Sequence, residues 1–234
     1  MTLQDADPGD IPAFLDRRPF VGAYTSLRDF RNCEELMFRR YIKKDQPFVK
    51  TPAIEWGNEV HDAFEHRVGK GKVFPDNMRQ FEKYATPFDQ YEVTCEEKLG
   101  ITAQGKACGF FDNDVWFRGK PDISVILNEK GLLTDIKTGS SKYEDPFELK
   151  CQALLLKAKH PTLRTVVGRY VYLKEDKLGA MYDLSDFQAT WLEINRLMNL
   201  IAEKRKSGEW VKKKSGLCGY CSVADCENHY VARP

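Results

Sequence analysis

Arg118 to Gln152 reads RGKPDISVILNEKGLLTDIKTGSSKYEDPFELKCQ. Two short apolar runs flank a turn at Gly131, which predicts two adjacent strands. Asp122 opens the first. The second ends in Asp135-Ile136-Lys137, followed by Thr138-Gly139. Strand side chains alternate faces, so Asp135 and Lys137 are expected on one side and Ile136 on the other, in a core. Two carboxylates at the ends of neighbouring strands suit a hard divalent cation bound through oxygen. A lysine beside them suits a water that such a cation activates.

Downstream, a loop runs to Pro146, and a helix is predicted over Phe147–Lys159 with Leu149, Ala153, Leu155 and Leu156 as its apolar residues. A strand is expected over Thr165–Leu173 and a short one over Ala180–Asp183. Ser185 is expected to cap a last helix reaching about Lys206. Upstream, one strand is expected over Tyr91–Ile101, with Val93, Cys95 and Glu97 on one side. Helices are expected over about 76–88, over Ile54–Val68 with the stripe Trp56, Val60, Phe64 and Val68, and over Leu27–Lys43. Thr25 or Ser26 is the expected cap of the last of these, and Cys33 falls inside it. Residues 1–20 read as a loosely packed arm. The fold class is α/β, a mixed central sheet flanked by helices. A single domain over 1–234 is expected, with its core at 90–183 and a cysteine-bearing region formed by 24–44 plus 208–230.

The chain of 234 residues is 42% hydrophobic and 12% aromatic, a globular composition. Its formal net charge of +1 neither marks nor excludes a nucleic-acid partner, because a local basic groove suffices. No apolar run approaches the roughly 18 residues of a membrane span. The acidic N-terminus lacks the pattern of a secretory signal. The protein is expected in the cytoplasm of a bacterial or phage-infected cell, with no membrane role. Seven cysteines there do not predict disulfides. Cys95, Cys108 and Cys151 read as packing residues.

Asp-x-Lys or GKPD alone is a weak signal, and a surface ion pair or a turn explains either. Together with Gln152 on the following helix and His61 upstream they form a set. YTSLRDFRNCEELMFRRYI (24–42), EWGNEVH (55–61), GKPD (119–122), TDIKTG (134–139) and Gln152 resemble the PD-(D/E)XK nuclease superfamily, in its RecB-like branch. The resemblance runs from about Tyr24 to His229. It implies a restriction-endonuclease-like core. It also implies Mg²⁺ or Mn²⁺ bound by His61, Asp122, Asp135 and the Ile136 carbonyl, Lys137 acting on the attacking water, and Gln152 positioning the lysine or phosphate. Leu156 stands where the family has a tyrosine, and no role of that ring is carried over.

Cys218-x-x-Cys221 with Cys226 five residues on is metal-ligand spacing that requires a fourth ligand. In the iron–sulfur members that the chain resembles, a cysteine of the N-terminal helix supplies it, which implies Cys33 and a [4Fe–4S] cluster joining the chain's two ends. Four cysteines equally suit a structural Zn²⁺, with His229 as a spare ligand, and the spacing leaves both open.

Basic residues concentrate at Arg28, Arg31, Arg39, Arg40, Lys43 and Lys44, and again at Lys204–Lys206 and Lys212–Lys214. They read either as a solvated face or as a track for a phosphate backbone, with Trp56, Trp210 and Tyr220 to stack on unpaired bases. The resemblance implies a DNA nuclease, an exonuclease on single-stranded or tailed ends. It would work in repair, recombination, phage replication or defence, beside helicase, recombinase or CRISPR-type partners. The alternatives are a non-catalytic DNA-binding adaptor and a structural zinc protein. No GxxxxGK[ST] loop occurs, so a motor would be a separate chain.

Overall fold

The computed structural model describes residues 19–46 and 50–230, so most of the expected N-terminal arm lies outside the described residues. The chain divides into two compact units, Val49–Glu193 and a second made of Met1–Phe48 with Ile194–Pro234.

The second unit opens with α1 (Tyr24–Asn32) and α2 (Glu34–Met37), then a π-helical turn, Phe38–Ile42. One continuous helix was expected here. It breaks at Cys33, which is extended (φ −164°, ψ 118°). The Cys33 N–H still closes on the Asp29 carbonyl, and Glu34 and Glu35 then favour a fresh helix N-terminus. The buried Asp29 carboxylate receives Arg40 Nη1 at 2.8 Å and the Tyr41 hydroxyl at 3.2 Å, which ties the two segments together. Helix α1 also begins earlier than expected. Ser26 is not its cap but its third residue, exchanging hydrogen bonds with the backbone of Ala23.

The larger unit begins with α3 (Pro52–Phe64), capped by Thr51, whose hydroxyl accepts the Ile54 N–H, with proline at its first position. A π-turn (Glu65–Gly69) continues it. A run of short turns then passes through α4 (Glu82–Ala85). The expected strand over 91–101 is instead two strands in two sheets, β1 (Val93–Cys95) and β2 (Leu99–Ile101). Glu96 between them takes a left-handed φ of 54°, which ends the alternation. Next come β3 (Ala107–Cys108), β4 (Phe117–Gly119), β5 (Ile123–Leu127) and β6 (Lys130–Lys137). They are followed by α5 (Phe147–Lys159), β7 (Thr165–Tyr172), β8 (Lys177–Leu178), β9 (Tyr182–Asp183) and α6 (Phe187–Ser207). The cap of α6 is Asp186, which accepts the Ala189 N–H at 2.9 Å, and not Ser185, whose hydroxyl accepts the Val166 N–H.

The main sheet runs β1-β5-β6-β7-β8, with β9 also on β7. The smaller runs β3-β2-β4. Strands β5 and β6 are antiparallel; β6 and β7 are parallel, joined by the α5 crossover, and pair Asp135 with Tyr170. The expected mixed α/β sheet flanked by helices is therefore what forms. One face of the sheet supplies Ile123, Val125, Ile136 and Val171 to a core shared with Val60, Phe64, Phe81 and Phe88. Burying a side chain such as Phe64, 2% exposed, stabilises by about 2–3 kcal/mol.

Candidate functional site

The alternation expected in β6 holds. Ile136, 1% exposed, belongs to the core, while the Asp135 and Lys137 side chains meet each other at 2.8 Å. Asp122 enters β5, and its Oδ2 accepts the Ile136 N–H at 2.7 Å. Strand geometry sends the N–H and carbonyl of one residue to the same edge, so the Ile136 carbonyl faces the Asp122 side of β6.

Helix α3 presents His61. Its Nδ1 lies 3.2 Å from Asp122 Oδ1 and 3.4 Å from Glu96 Oε1. One donor atom each from His61, Glu96 and Asp122 falls within a 4.8 Å group. Glu96 also pairs with Lys120. Two carboxylate oxygens and an imidazole nitrogen suit Mg²⁺ or Mn²⁺. Burial opposes charge on His61, but its hydrogen bonds with Asp122 and Glu96 outweigh that and raise its pKa to about 10. A proton thus serves as the counter-charge between the two acids.

Beside this group, Lys137 Nζ donates to Glu148 Oε2 at 2.8 Å and lies 5.3 Å from the Tyr170 ring centroid. Burial disfavours its charge; Asp135 and Glu148 outweigh burial and hold it as ammonium. Burial and the Asp135 charge raise both Asp122 and Glu148. Gln152, on α5, donates to Asp135 Oδ1 at 3.1 Å, and its own buried Oε1 has no partner among the described residues. Tyr170 and Tyr172 anchor the loop into α5. Their hydroxyls donate to the Asp145 carbonyl at 2.8 Å and to Glu144 at 2.6 Å.

All the side chains expected at this site therefore meet, although Asp135 faces Lys137 and Gln152 rather than joining the His61 group. Two residues were missed. Glu96 was hidden because alternation pointed to Glu97, which instead pairs with Lys159. Glu148 lies one helical turn before Gln152, a spacing that could have flagged it.

In the other unit, Cys33, Cys218 and Cys221 lie close enough for Cys221 to feel the other two thiols. Cys218 Sγ accepts the Ser215 N–H at 3.3 Å, and burial raises the Cys221 pKa despite the Val223 N–H that opposes it. The four cysteines do not draw into a 4.8 Å group such as His61, Glu96 and Asp122 form; Cys108, read as a packing residue, does so with Asp112 and Asp114. Much of the basic run is paired. Arg39 meets Asp45 and Asp225, Arg40 meets Asp29, and Lys204 meets Glu34. Trp210 stacks on Phe38 and Trp56 packs against the core, while Tyr220 is 79% exposed.

No family model and no curated protein matches the chain. Among solved structures, the crystal structure of a protein named "Putative exonuclease" from Eubacterium rectale superposes with a TM-score of 0.54 at 12% identity. The match covers 98% of this chain and 95% of that one. The crystal structure of SSO0001 gives a TM-score of 0.42 at 15% identity over 88% and 86% of the two chains. The first likeness establishes a shared fold. No described helix is long and apolar enough to cross a membrane.

Proposed function

We propose that the protein is a divalent-metal-dependent nuclease that hydrolyses phosphodiester bonds in DNA with single-stranded or free ends. The observation that carries this reading is the convergence of His61, Glu96 and Asp122 on one point beside a lysine held between two carboxylates. Mg²⁺ or Mn²⁺ would be held by that trio, with Asp135 and the Ile136 carbonyl alongside. When bound, it supplies Lewis-acid polarisation of the phosphate and a lowered pKa for water.

The chain's own groups do the rest. The Ile136 N–H orients Asp122, and Gln152 fixes Asp135 through its amide. Asp135 and Glu148 aim the Lys137 ammonium, whose remaining hydrogen offsets charge on the phosphate or orients the attacking water. The unpartnered Gln152 Oε1 is an acceptor for that water or for a hydrogen of the lysine. The shared fold with the protein named "Putative exonuclease" supports the same reading.

For the smaller unit we propose that Cys33, Cys218, Cys221 and Cys226 hold a [4Fe–4S] cluster. The Ser215 N–H on the Cys218 sulfur and the Val223 N–H on the Cys221 sulfur are hydrogen bonds of the kind that support cluster ligands, and a bound metal would have to overcome the burial that raises the Cys221 pKa.

The test is to purify the protein without oxygen and record its visible absorption and metal content. Labelled linear and circular DNA is then incubated with Mn²⁺ or Mg²⁺. The expected result is a brown protein that degrades linear DNA and loses that activity in Lys137→Ala. Colourless protein holding zinc assigns the cysteines to Zn²⁺. Binding without cleavage makes the chain an adaptor.

A further inference from the structure

The smaller sheet of the larger unit carries a cluster that the nuclease reading leaves unused. Phe111, in the loop between β3 and β4, is 72% exposed. Phe110 meets it edge-on, with centroids 4.9 Å apart at 73°. Arg118 Cζ lies 4.6 Å from the Phe110 centroid and 5.7 Å from that of Phe111. Lys98 Nζ lies 5.3 Å from the Phe111 centroid. Arg118 Nη1 also donates to the Phe110 carbonyl at 3.1 Å, so ring and cation are held in one arrangement.

The loop is seated by close packing. A Cβ at Gly100, in β2, would come within 3.0 Å of the Gly109 carbonyl and of Val115. Only glycine lets the loop lie this close to the strand. A large apolar ring held open to water beside two cations matches an unpaired base and its phosphates. A base inside a duplex offers no such face, because its neighbours in the stack cover it. Asp112 and Asp114, in the same loop, equal Lys98 and Arg118 in number. Stacking, rather than bulk attraction of phosphate, is therefore the main force. Strand β4 leads straight into the acidic site. The four residue steps from Arg118 to Asp122 span at most about 14 Å.

We propose that Phe110, Phe111, Arg118 and Lys98 form a stacking platform for an unpaired base of a single DNA strand entering the acidic site. The identity of the strand rests on the nuclease reading; the platform itself is tested by binding alone. Anisotropy of a labelled oligothymidylate is measured with a chelator present, so that no cleavage occurs. Phe111→Ala is expected to weaken binding about 5- to 150-fold, and Phe111→Trp to preserve or tighten it. The slope of log affinity against log salt stays unchanged in Phe111→Ala and falls by about 0.7 in Arg118→Gln. Affinity for blunt duplex is unchanged by Phe111→Ala.

Oligothymidylate bound equally by Phe111→Ala and wild type overturns the platform. So does a wild type that does not bind it, or an equal loss on blunt duplex. A wild type that binds through Phe111 yet cuts nothing with Mn²⁺ removes the nuclease reading and leaves the platform. One that cuts DNA while Phe111→Ala keeps full affinity does the reverse.

Discussion

The acidic site and the cysteine region solve the problem of order in opposite ways. In the acidic site every charge answers another: His61 with Asp122 and Glu96, Lys137 with Asp135 and Glu148. These groups stand on β6, at the start of β5, on helices α3 and α5 and between β1 and β2, around a core that includes Ile136, Ile123 and Phe64. In the stretch 208–230, Val223 is the one buried side chain. That stretch is tied to the helices of its unit by half-exposed polar links. Arg39 meets Asp225 at 3.1 Å, and Glu34 accepts the Val211 N–H at 3.0 Å. Links of that kind contribute about 0–1 kcal/mol each. A segment with one buried apolar residue cannot offset its ordering entropy with such links. The acidic site is thus organised by its own charges, whereas in the cysteine region the proposed cluster would be what holds the shape.

The largest effect expected from this contrast is catalytic. Lys137→Ala and Asp122→Asn should each lower cleavage of labelled linear DNA by about 1,000-fold or more. Far-ultraviolet circular dichroism should stay native, since the core behind the site is untouched. A variant retaining a substantial fraction of wild-type cleavage would show that the chemistry lies elsewhere. For stability the largest expected effect is that of Cys221→Ser, which should forfeit much of the roughly 10 kcal/mol that the proposed structural metal would contribute to folding. Limited proteolysis should then cut within 208–230 while 49–193 stays resistant. Equal resistance in both stretches would mean that ion pairs alone order the region.

How far each region could be read from sequence follows the same line. Strand alternation is a local rule, so Asp135 and Lys137 on one face and Ile136 on the other were legible. So were the bounds of α5 from its apolar spacing and Pro146. The rule failed where long-range contacts bend the chain. Glu96 is held by His61 and Lys120 and turns left-handed, which took it off the predicted face. Cys33 leaves the helix because Asp29 binds Arg40 and Tyr41 from the segment beyond it. The Lys137–Tyr170 contact depends on the register of β6 against β7, which no local pattern encodes.

Glu96 sharpens the contrast from the other side. Glu96→Gln keeps the shape of the site but removes the charge of one proposed ligand. The Mn²⁺ concentration for half-maximal cleavage should rise about 10- to 100-fold, with most of the rate recovered at saturating ion. A lost maximal rate with unchanged Mn²⁺ dependence would place Glu96 in substrate handling instead.

The smallest effect tests how weak the polar links of the cysteine region are. Burial works against charge on Asp45. Its hydrogen bonds from Arg39, Lys43 and Gln46 outweigh that and lower its pKa from 3.8 to about 2. A depressed carboxylate pKa adds stability above the unfolded value, and that contribution fades as pH falls from about 4 through about 2. Solvent screening limits it to about 0.5–1 kcal/mol. Urea unfolding of Asp45→Asn should therefore show a loss of that size near neutral pH. The difference from wild type should vanish toward pH 2. A loss of several kcal/mol, or one that persists in acid, would mean that the Arg39–Asp45–Asp225 links, and not the thiols, hold this unit together.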